Sequence, residues 1–75
     1  MEHIDESVSV TLISAIPSVL EWRGRQYIIK TIGLHHTWRD GRILYHVFSV
    51  SDESMFFRLE FNTESLLWRL TDIAE

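Results

Sequence analysis

Cysteine is absent from this 75-residue sequence, and it contains only one proline and three glycines. Without cysteine the chain cannot form disulfides or thiolate metal sites, and its redox compartment is left open. A single domain of this length must depend on packing, and a hydrophobic content of 45% is sufficient for a core. Because such a core contributes only about 3–5 kcal/mol, self-association is worth considering as a further source of stability.

Positive charge is also scarce, and no long hydrophobic run occurs. The formal net charge is −4, with seven basic residues against eleven acidic ones. A mildly acidic domain is a poor nucleic-acid binder by default, because neutralisation of phosphates dominates that kind of affinity. No apolar run approaches the ~18 residues of a membrane helix, and the acidic N-terminus has no signal-peptide pattern. We therefore predict a cytoplasmic protein that does not contact a membrane.

Strand patterns begin early in the chain. Ser7–Leu12 alternates strictly between polar and apolar residues, which indicates a half-buried strand. Pro17 is expected to end this segment, since proline cannot donate to a strand ladder. A hairpin turn is predicted at Arg23-Gly24. The run 25–38 would span ~46 Å as one flat strand, so we place a bulge or sharp bend at Gly33.

The second half of the chain continues the pattern. Asp40-Gly41 predicts a type I′ hairpin turn, followed by strands Arg42–Val50 and Met55–Phe61 and a last segment, Leu66–Ile73. Residues 63–74 also fit a capped amphipathic helix, although a strand would pair apolar with apolar residues. We expect an all-β antiparallel meander of about six strands, forming a small barrel or a strongly bent sheet. We expect residues 1–6 to be a flexible N-terminus and residues 7–75 to form one small β domain.

Short connecting loops predict which residues share the buried face. They set Phe48 opposite Phe57, and Phe57 opposite Leu70, and a slip of one residue would reverse every side chain. The second hairpin likewise sets His35 opposite His46. The predicted core face consists of Leu44, Phe48, Val50, Met55, Phe57, Leu59, Phe61, Leu66, Trp68 and Leu70.

The opposite face should be polar, yet it also carries an apolar cluster. Either this cluster is covered within the fold, or it is an exposed patch of the kind that marks a partner or self-association surface. The leading functional hypothesis is a non-catalytic protein-interaction or self-association module, with a protein partner or a second copy of the chain as the ligand. The binding residues would be Leu34, Trp38, Ile43, Tyr45, Val47 and Phe56.

Two similar stretches, WRGR at residues 22–25 and WRDGR at residues 38–42, place arginines beside tryptophans. Turn geometry explains both glycines, and the arginine stems can cover the neighbouring indole rings. The alternative is a weak single-stranded nucleic-acid or anion site, because indoles stack on bases and guanidinium groups contact phosphates. Its residues would be Trp22, Arg23, Arg25, Arg39 and Arg42. In a meander the two turns lie at opposite ends of the sheet, and Arg39 would face Arg42 directly.

Catalysis and metal binding have little support. His35 and His46 are a weak candidate metal pair, with no cysteine or evident carboxylate to complete a tetrahedral site. The sequence has no glycine-rich phosphate loop, no nucleophile elbow and no HExxH motif. We predict no catalytic residues and no cofactor.

Several short motifs resemble those of a group of small uncharacterised bacterial domains, mainly actinobacterial. They are a proline followed by a W-x-G-R-x-Y hairpin, a downstream tryptophan and a C-terminal W-x-L. The matching positions are Pro17, Trp22, Gly24, Arg25, Tyr27, Trp38, Trp68 and Leu70. The resemblance covers most of residues 17–72 and implies a compact β domain of unknown function in a bacterial cytoplasm.

Overall fold

Seven antiparallel strands form a single sheet in the computed structural model, which describes residues 1–75. The order across the sheet is β3-β2-β1-β7-β6-β5-β4, so every pair of neighbours except β1 and β7 is consecutive in the chain. The predicted all-β meander is confirmed. The strands are β1 (Glu2–Ile13), β2 (Ile16–Trp22), β3 (Arg25–Ile28), β4 (Thr31–Asp40), β5 (Ile43–Ser51), β6 (Phe56–Asn62) and β7 (Trp68–Ala74).

The sheet has one strand more than predicted because the run 25–38 breaks in two. Between β3 and β4, the backbone N–H of Ile29 donates to the carbonyl oxygen of Ser18 at 3.0 Å. The next N–H, from Lys30, donates to the carbonyl oxygen of Ser51 at 2.8 Å. The hydrogen-bonding partner of the chain therefore changes from β2 to β5 between residues 29 and 30. As a result, β3 and β4 are the two edges of the sheet.

The predicted irregularity at Gly33 is confirmed, and the C-terminal ambiguity is resolved. The register between β4 and β5 shifts between Ile32 and Leu34, which is a bulge at the glycine. The C-terminal segment is strand β7, so the helical alternative is wrong. Leu66, predicted to lie in the core, instead belongs to the preceding loop and is 66% exposed, with φ of +63°.

The two predicted hairpin turns have different outcomes. Arg23-Gly24 is the first turn as expected, with φ of +52° and +76° and Trp22 opposite Arg25. Positive φ at both central residues is typical of a type I′ turn. The predicted second turn, Asp40-Gly41, lies one residue before the observed one.

The central residues of the second turn are Gly41-Arg42, because Asp40 is paired with Ile43. Only the glycine has a positive φ, +60°, as the first central position of a type II′ turn requires. The one-residue error moves the register by two, so Arg39 lies opposite Leu44 and not opposite Arg42.

The same two-residue offset recurs along the sheet. Phe48 pairs with Leu59, and Leu59 pairs with Leu70, whereas the predicted partner of Phe48 was Phe57. His46 lies opposite Thr37. An offset of two preserves the face of each side chain, so the strand residues predicted for the core do share one face.

The N-terminal strand is longer than the alternating pattern indicates. Glu2–Glu6, within the segment predicted to be flexible, lie in β1 and pair along β7 around a register shift. At that shift Asp5 has φ of +57°, and Arg69 holds it by donating to its side-chain Oδ1 at 2.7 Å and its carbonyl oxygen at 2.8 Å. Pro17 does not end a segment. It lies in β2 opposite Leu12, beside a second register shift, where proline is tolerated.

Strong bending of the sheet produces the core. Tyr27 of β3 and Phe57 of β6 have ring centroids 5.1 Å apart, although four strand spacings of ~4.8 Å would separate them in a flat sheet. The edges β3 and β4 do not pair, so the sheet is open, and of the two predicted forms the small barrel is wrong. The concave face carries the buried cluster of Leu20, Trp22, Val50, Phe57, Leu59, Trp68 and Leu70.

Candidate partner-binding surface

The six residues predicted as a second apolar cluster all lie on the convex side of the sheet, and we call them the outer apolar face. Its centre is Trp38 of β4, which lies directly opposite Tyr45 of β5 with the rings stacked at 4.5 Å. The indole Nε1 of Trp38 donates to Oε2 of Glu60 at 3.2 Å, which holds the ring over the strands. The outer apolar face comprises Leu34, Trp38, Ile43, Tyr45, Val47 and Phe56.

Exposure divides the outer apolar face into two parts. Val47 is only 5% exposed, and it lies between its strand partners His36 of β4 and Glu60 of β6. Leu34 and Trp38 are 57% and 42% exposed. The accessible part of the cluster is therefore its β4 side, at the edge of the sheet.

Strand β4 is itself an unprotected edge. All ten of its residues are exposed, and no strand lies beyond it. The two-residue turn makes Asp40 and Ile43 a hydrogen-bonded pair, so every second residue back along β4 bonds to β5. The intervening residues His35, Thr37 and Arg39 consequently direct their backbone N–H and C=O groups away from the sheet.

The residues of the nucleic-acid alternative occupy two separate places. Trp22 is buried in the core, and its Nε1 donates to Oε1 of Glu6 at 2.9 Å. Arg23 lies over the Trp22 ring at 4.8 Å and bonds to Oε2 of Glu6 at 2.5 Å. Arg25 lies over the Tyr27 ring at 5.6 Å. At this end of the sheet the indole of Trp22 is therefore buried, and the guanidinium of Arg23 is paired with Glu6.

The second arginine pair lies at the opposite end of the sheet, beside the Gly41-Arg42 turn. Arg42 bonds to Oε1 of Glu64 at 3.3 Å, and Arg39 donates to the carbonyl oxygen of Arg42 at 3.4 Å. As predicted from the alternation of turns, the structure does not bring the two arginine pairs together.

His35 and His46 do meet, but as diagonal neighbours across β4 and β5 and not as a directly opposed pair. Nε2 of His35 and Nδ1 of His46 are 2.7 Å apart, and the His35 ring stacks on Phe48 at 4.2 Å. The two rings therefore hydrogen-bond to each other. No group of three or more His, Asp or Glu side chains in the structure could hold a metal ion.

Two clefts each share one residue with the predicted sites, His46 in the first and Arg25 in the second. An apolar one of about 170 Å³ opens on the concave face beside His46, Phe48, Phe61 and Trp68. A polar cleft of about 530 Å³ lies between β3 and the loop after β5. Asp52, one of the acidic residues that line it, accepts hydrogen bonds from the backbone N–H groups of Ser54 and Met55. These bonds lower the pKa of Asp52, so its carboxylate stabilises the loop and is a poor proton donor near neutrality.

Comparison with known proteins adds no relative: no protein-family model, no curated protein and no solved structure matches the chain. The resemblance to small bacterial domains stays a prediction. No helix in the structure could cross a membrane.

Sequence reasoning found the outer apolar face but missed two features. The first is Glu6, which binds both Trp22 and Arg23 across the sheet, 16 and 17 residues away in the chain. The second is the edge position of β4, which results from the absence of pairing between β4 and the consecutive strand β3. Neither has a local pattern in the sequence, because both result from strand order.

Proposed function

We propose that this chain is a non-catalytic protein-interaction module of the bacterial cytoplasm, which binds its partner at strand β4 and the adjoining outer apolar face. The observation that carries the proposal is the exposure of Leu34 and Trp38 on an edge strand whose ten residues are all exposed. An unprotected edge of this kind is a template for another strand, and natural proteins usually block it unless it is used.

Addition of a partner strand to β4 would supply both the affinity and the specificity of recognition. The free backbone groups of His35, Thr37 and Arg39 provide main-chain hydrogen bonds, which give affinity with little dependence on sequence. Leu34 and Trp38 project from the same edge toward the convex side and select apolar side chains at alternate positions of the partner. The stacked Trp38–Tyr45 pair offers a rigid aromatic anchor of the type that dominates binding energy at interfaces.

Nucleic-acid binding through the arginines has less support. Trp22 is buried and hydrogen-bonded, and Arg23 and Arg42 already pair with Glu6 and Glu64. A base would have to displace these contacts before stacking or phosphate binding could begin.

An extended peptide with a generic sequence tests the proposal. We would titrate the ¹⁵N-labelled chain with an eight-residue peptide of alternating valine and threonine and follow the amide resonances. Strand addition should shift the amides of His35, Thr37 and Arg39 and protect them from hydrogen exchange, at peptide concentrations up to ~1 mM. Trp38→Ser should weaken binding, because it removes the apolar anchor.

Ile28 provides the matched control. It lies on the other edge strand, β3, and is 51% exposed, close to the value for Trp38. Ile28→Ser should leave peptide binding unchanged. Absence of any shift in β4, or equal losses from both substitutions, would contradict the proposal.

A further inference from the structure

We infer that the strand β4 binds is β4 of a second copy of this chain, so that two sheets join edge to edge in an antiparallel pair with His36 at the two-fold axis. This inference rests on the proposed function and specifies its partner. The argument depends on which registers the free backbone groups permit and which of those registers matches the side chains.

Self-pairing of an antiparallel edge has few allowed registers. Side chains directly opposite each other in an antiparallel pair lie on the same face of the sheet. The two-fold axis must therefore pass between one residue and the same residue of the second copy, so that this residue pairs with itself. The bulge at Gly33 restricts the regular part of the edge to residues 34–40. Within it, the outward-directed backbone groups of His35, Thr37 and Arg39 must be the ones that bond to the second copy.

Centring the axis on His36 satisfies the backbone. His35 then lies opposite Thr37 of the second copy, and Thr37 lies opposite His35 of the second copy. Both belong to the set whose N–H and C=O groups point away from β5, so the two pairs complete a ladder without disturbing the existing sheet.

The side chains favour this register over its neighbours. With His36 at the centre, Leu34 lies opposite Trp38 of the second copy, and the symmetry repeats the pair. The most exposed apolar side chains of the edge thus cover each other, a pairing that stabilises antiparallel sheets. An axis through Thr37 would set Leu34 opposite the carboxylate of Asp40, and an axis through His35 would set it opposite His36.

The central part of the edge carries no charge that would oppose pairing with a second copy. The paired segment, residues 34–38, has no Lys, Arg, Asp or Glu, although charged side chains are a common protection for edges. At the ends, Lys30 of each copy approaches both Asp40 and Arg42 of the other, so attraction and repulsion offset each other there. The edge is therefore uncharged at its centre, where the two copies pair.

The other edge is a poorer candidate for the same contact. Strand β3 has only four residues, and Arg25 is one of them. The paired β4 segment is also short, so we expect a reversible dimer with a dissociation constant on the order of 10–100 µM.

Solution mass gives the first test. Sedimentation equilibrium of the whole chain at concentrations up to ~1 mM should show a monomer–dimer equilibrium. Thr37→Pro removes an N–H that faces solvent in the monomer, a position where proline is compatible with an edge strand. It should raise the dimer dissociation constant by on the order of 10- to 100-fold, because the symmetry removes two hydrogen bonds.

Gln26→Pro is the matched control for that substitution. The first hairpin makes Trp22 and Arg25 a hydrogen-bonded pair, so the N–H of Gln26 also faces outward, but on β3. Gln26→Pro should leave the dimer unchanged. Circular dichroism of both variants checks that the sheet is intact.

Disulfide trapping tests the register and does not depend on a proline. The chain has no cysteine of its own, so a single introduced thiol can only react with its counterpart in a second copy. Residues at the axis form a non-hydrogen-bonded pair with Cα atoms ~4.5 Å apart, within the range a disulfide spans. His36→Cys should form a covalent dimer under mild oxidation. Leu34→Cys should not, since its two copies would lie ~14 Å apart.

The outcomes separate this inference from the proposed function. A monomer at every concentration, or faster cross-linking of Leu34→Cys than of His36→Cys, overturns the His36-centred dimer. If the valine–threonine peptide still binds β4 in that case, the interaction module stands with a different partner. If the peptide also fails to bind, both proposals are wrong.

Discussion

The indole Nε1 of Trp22 donates a hydrogen bond of 2.9 Å to Oε1 of Glu6, joining the end of β2 to the first half of β1. The other oxygen of the same carboxylate, Oε2, accepts from Arg23 at 2.5 Å, and the Arg23 guanidinium lies over the Trp22 ring. One carboxylate thus satisfies a buried indole and pairs with a cation. This arrangement makes the WRGR stretch a structural element of the fold.

Neutralising Glu6 should destabilise the protein in a pH-dependent way. Hydrogen bonds from Arg23 and then Trp22 lower the pKa of Glu6 below its usual 4.5. Because the folded pKa is below the unfolded one, the contribution to the free energy of unfolding is complete above the unfolded pKa. It is lost as the pH falls through the folded pKa. Urea unfolding should show Glu6→Gln less stable than wild type at about pH 7, with the difference shrinking toward about pH 3.

Trp22→Phe gives the control for that prediction. It retains the aromatic ring and removes the N–H donor, so the pKa of Glu6, followed by NMR, should rise from its wild-type value but stay below 4.5 because Arg23 remains. A Glu6 pKa at or above 4.5 in the wild-type protein would contradict the interpretation.

Leu59 should be essential for folding. It is fully buried on β6, between Phe48 of β5 and Leu70 of β7. Leu59→Ala should cost about 2–5 kcal/mol, which is comparable to the whole stability of a core this small. Leu67→Ala, in the exposed loop before β7, should change stability by no more than about 0.5 kcal/mol. Thermal unfolding followed by circular dichroism measures both, and equal effects would mean that the assigned core is wrong.

Gly41 should tolerate alanine less well than Gly33. The first has φ of +60° in the second hairpin turn, where a side chain adds about 1–2 kcal/mol of strain. A Cβ on the second would meet the carbonyl oxygen of Ser49 at 3.6 Å, an ordinary contact. Chemical denaturation should therefore show Gly41→Ala to be the less stable variant. The reverse order would contradict the assigned type II′ turn.

The outer apolar face should separate into residues that stabilise the fold and residues free for a partner. Val47 is 5% exposed, and Val47→Ala should lose about 1.5–3 kcal/mol of folding free energy. Leu34 is 57% exposed, and Leu34→Ala should change folding by only about 0.5 kcal/mol or less. The same Leu34 substitution should weaken the dimer. A large loss of stability for Leu34→Ala would assign that residue to the fold and weaken the binding proposal.

Local patterns in the sequence were sufficient to predict the all-β class, most of the strands and the face of their side chains. Alternation has a period of two, so an error of two residues in register still leaves Phe48, Leu59 and Leu70 on the core face. For the same reason the outer apolar face was identified correctly although every pair along it was offset. The turn at Arg23-Gly24 and the bulge at Gly33 were likewise predictable, because glycine has a specific conformational role at each.

Register and topology depended on contacts that no local pattern contains. Gly41 suits both type I′ and type II′ turns at different positions, and the pairing of Asp40 with Ile43 is what distinguishes them. In the hairpin between β1 and β2, Ser14 and Ala15 both have a positive φ although neither is glycine. The amino-acid composition of this turn therefore does not predict it. Pairing of β1 with β7 joins strands from opposite ends of the chain, and β4 is an edge because it does not pair with β3. Local periodicity therefore specifies which residues are apolar and which share a face. The position of Leu34 and Trp38 on an open edge depends on the whole fold, because strand order follows from long-range burial and not from local periodicity.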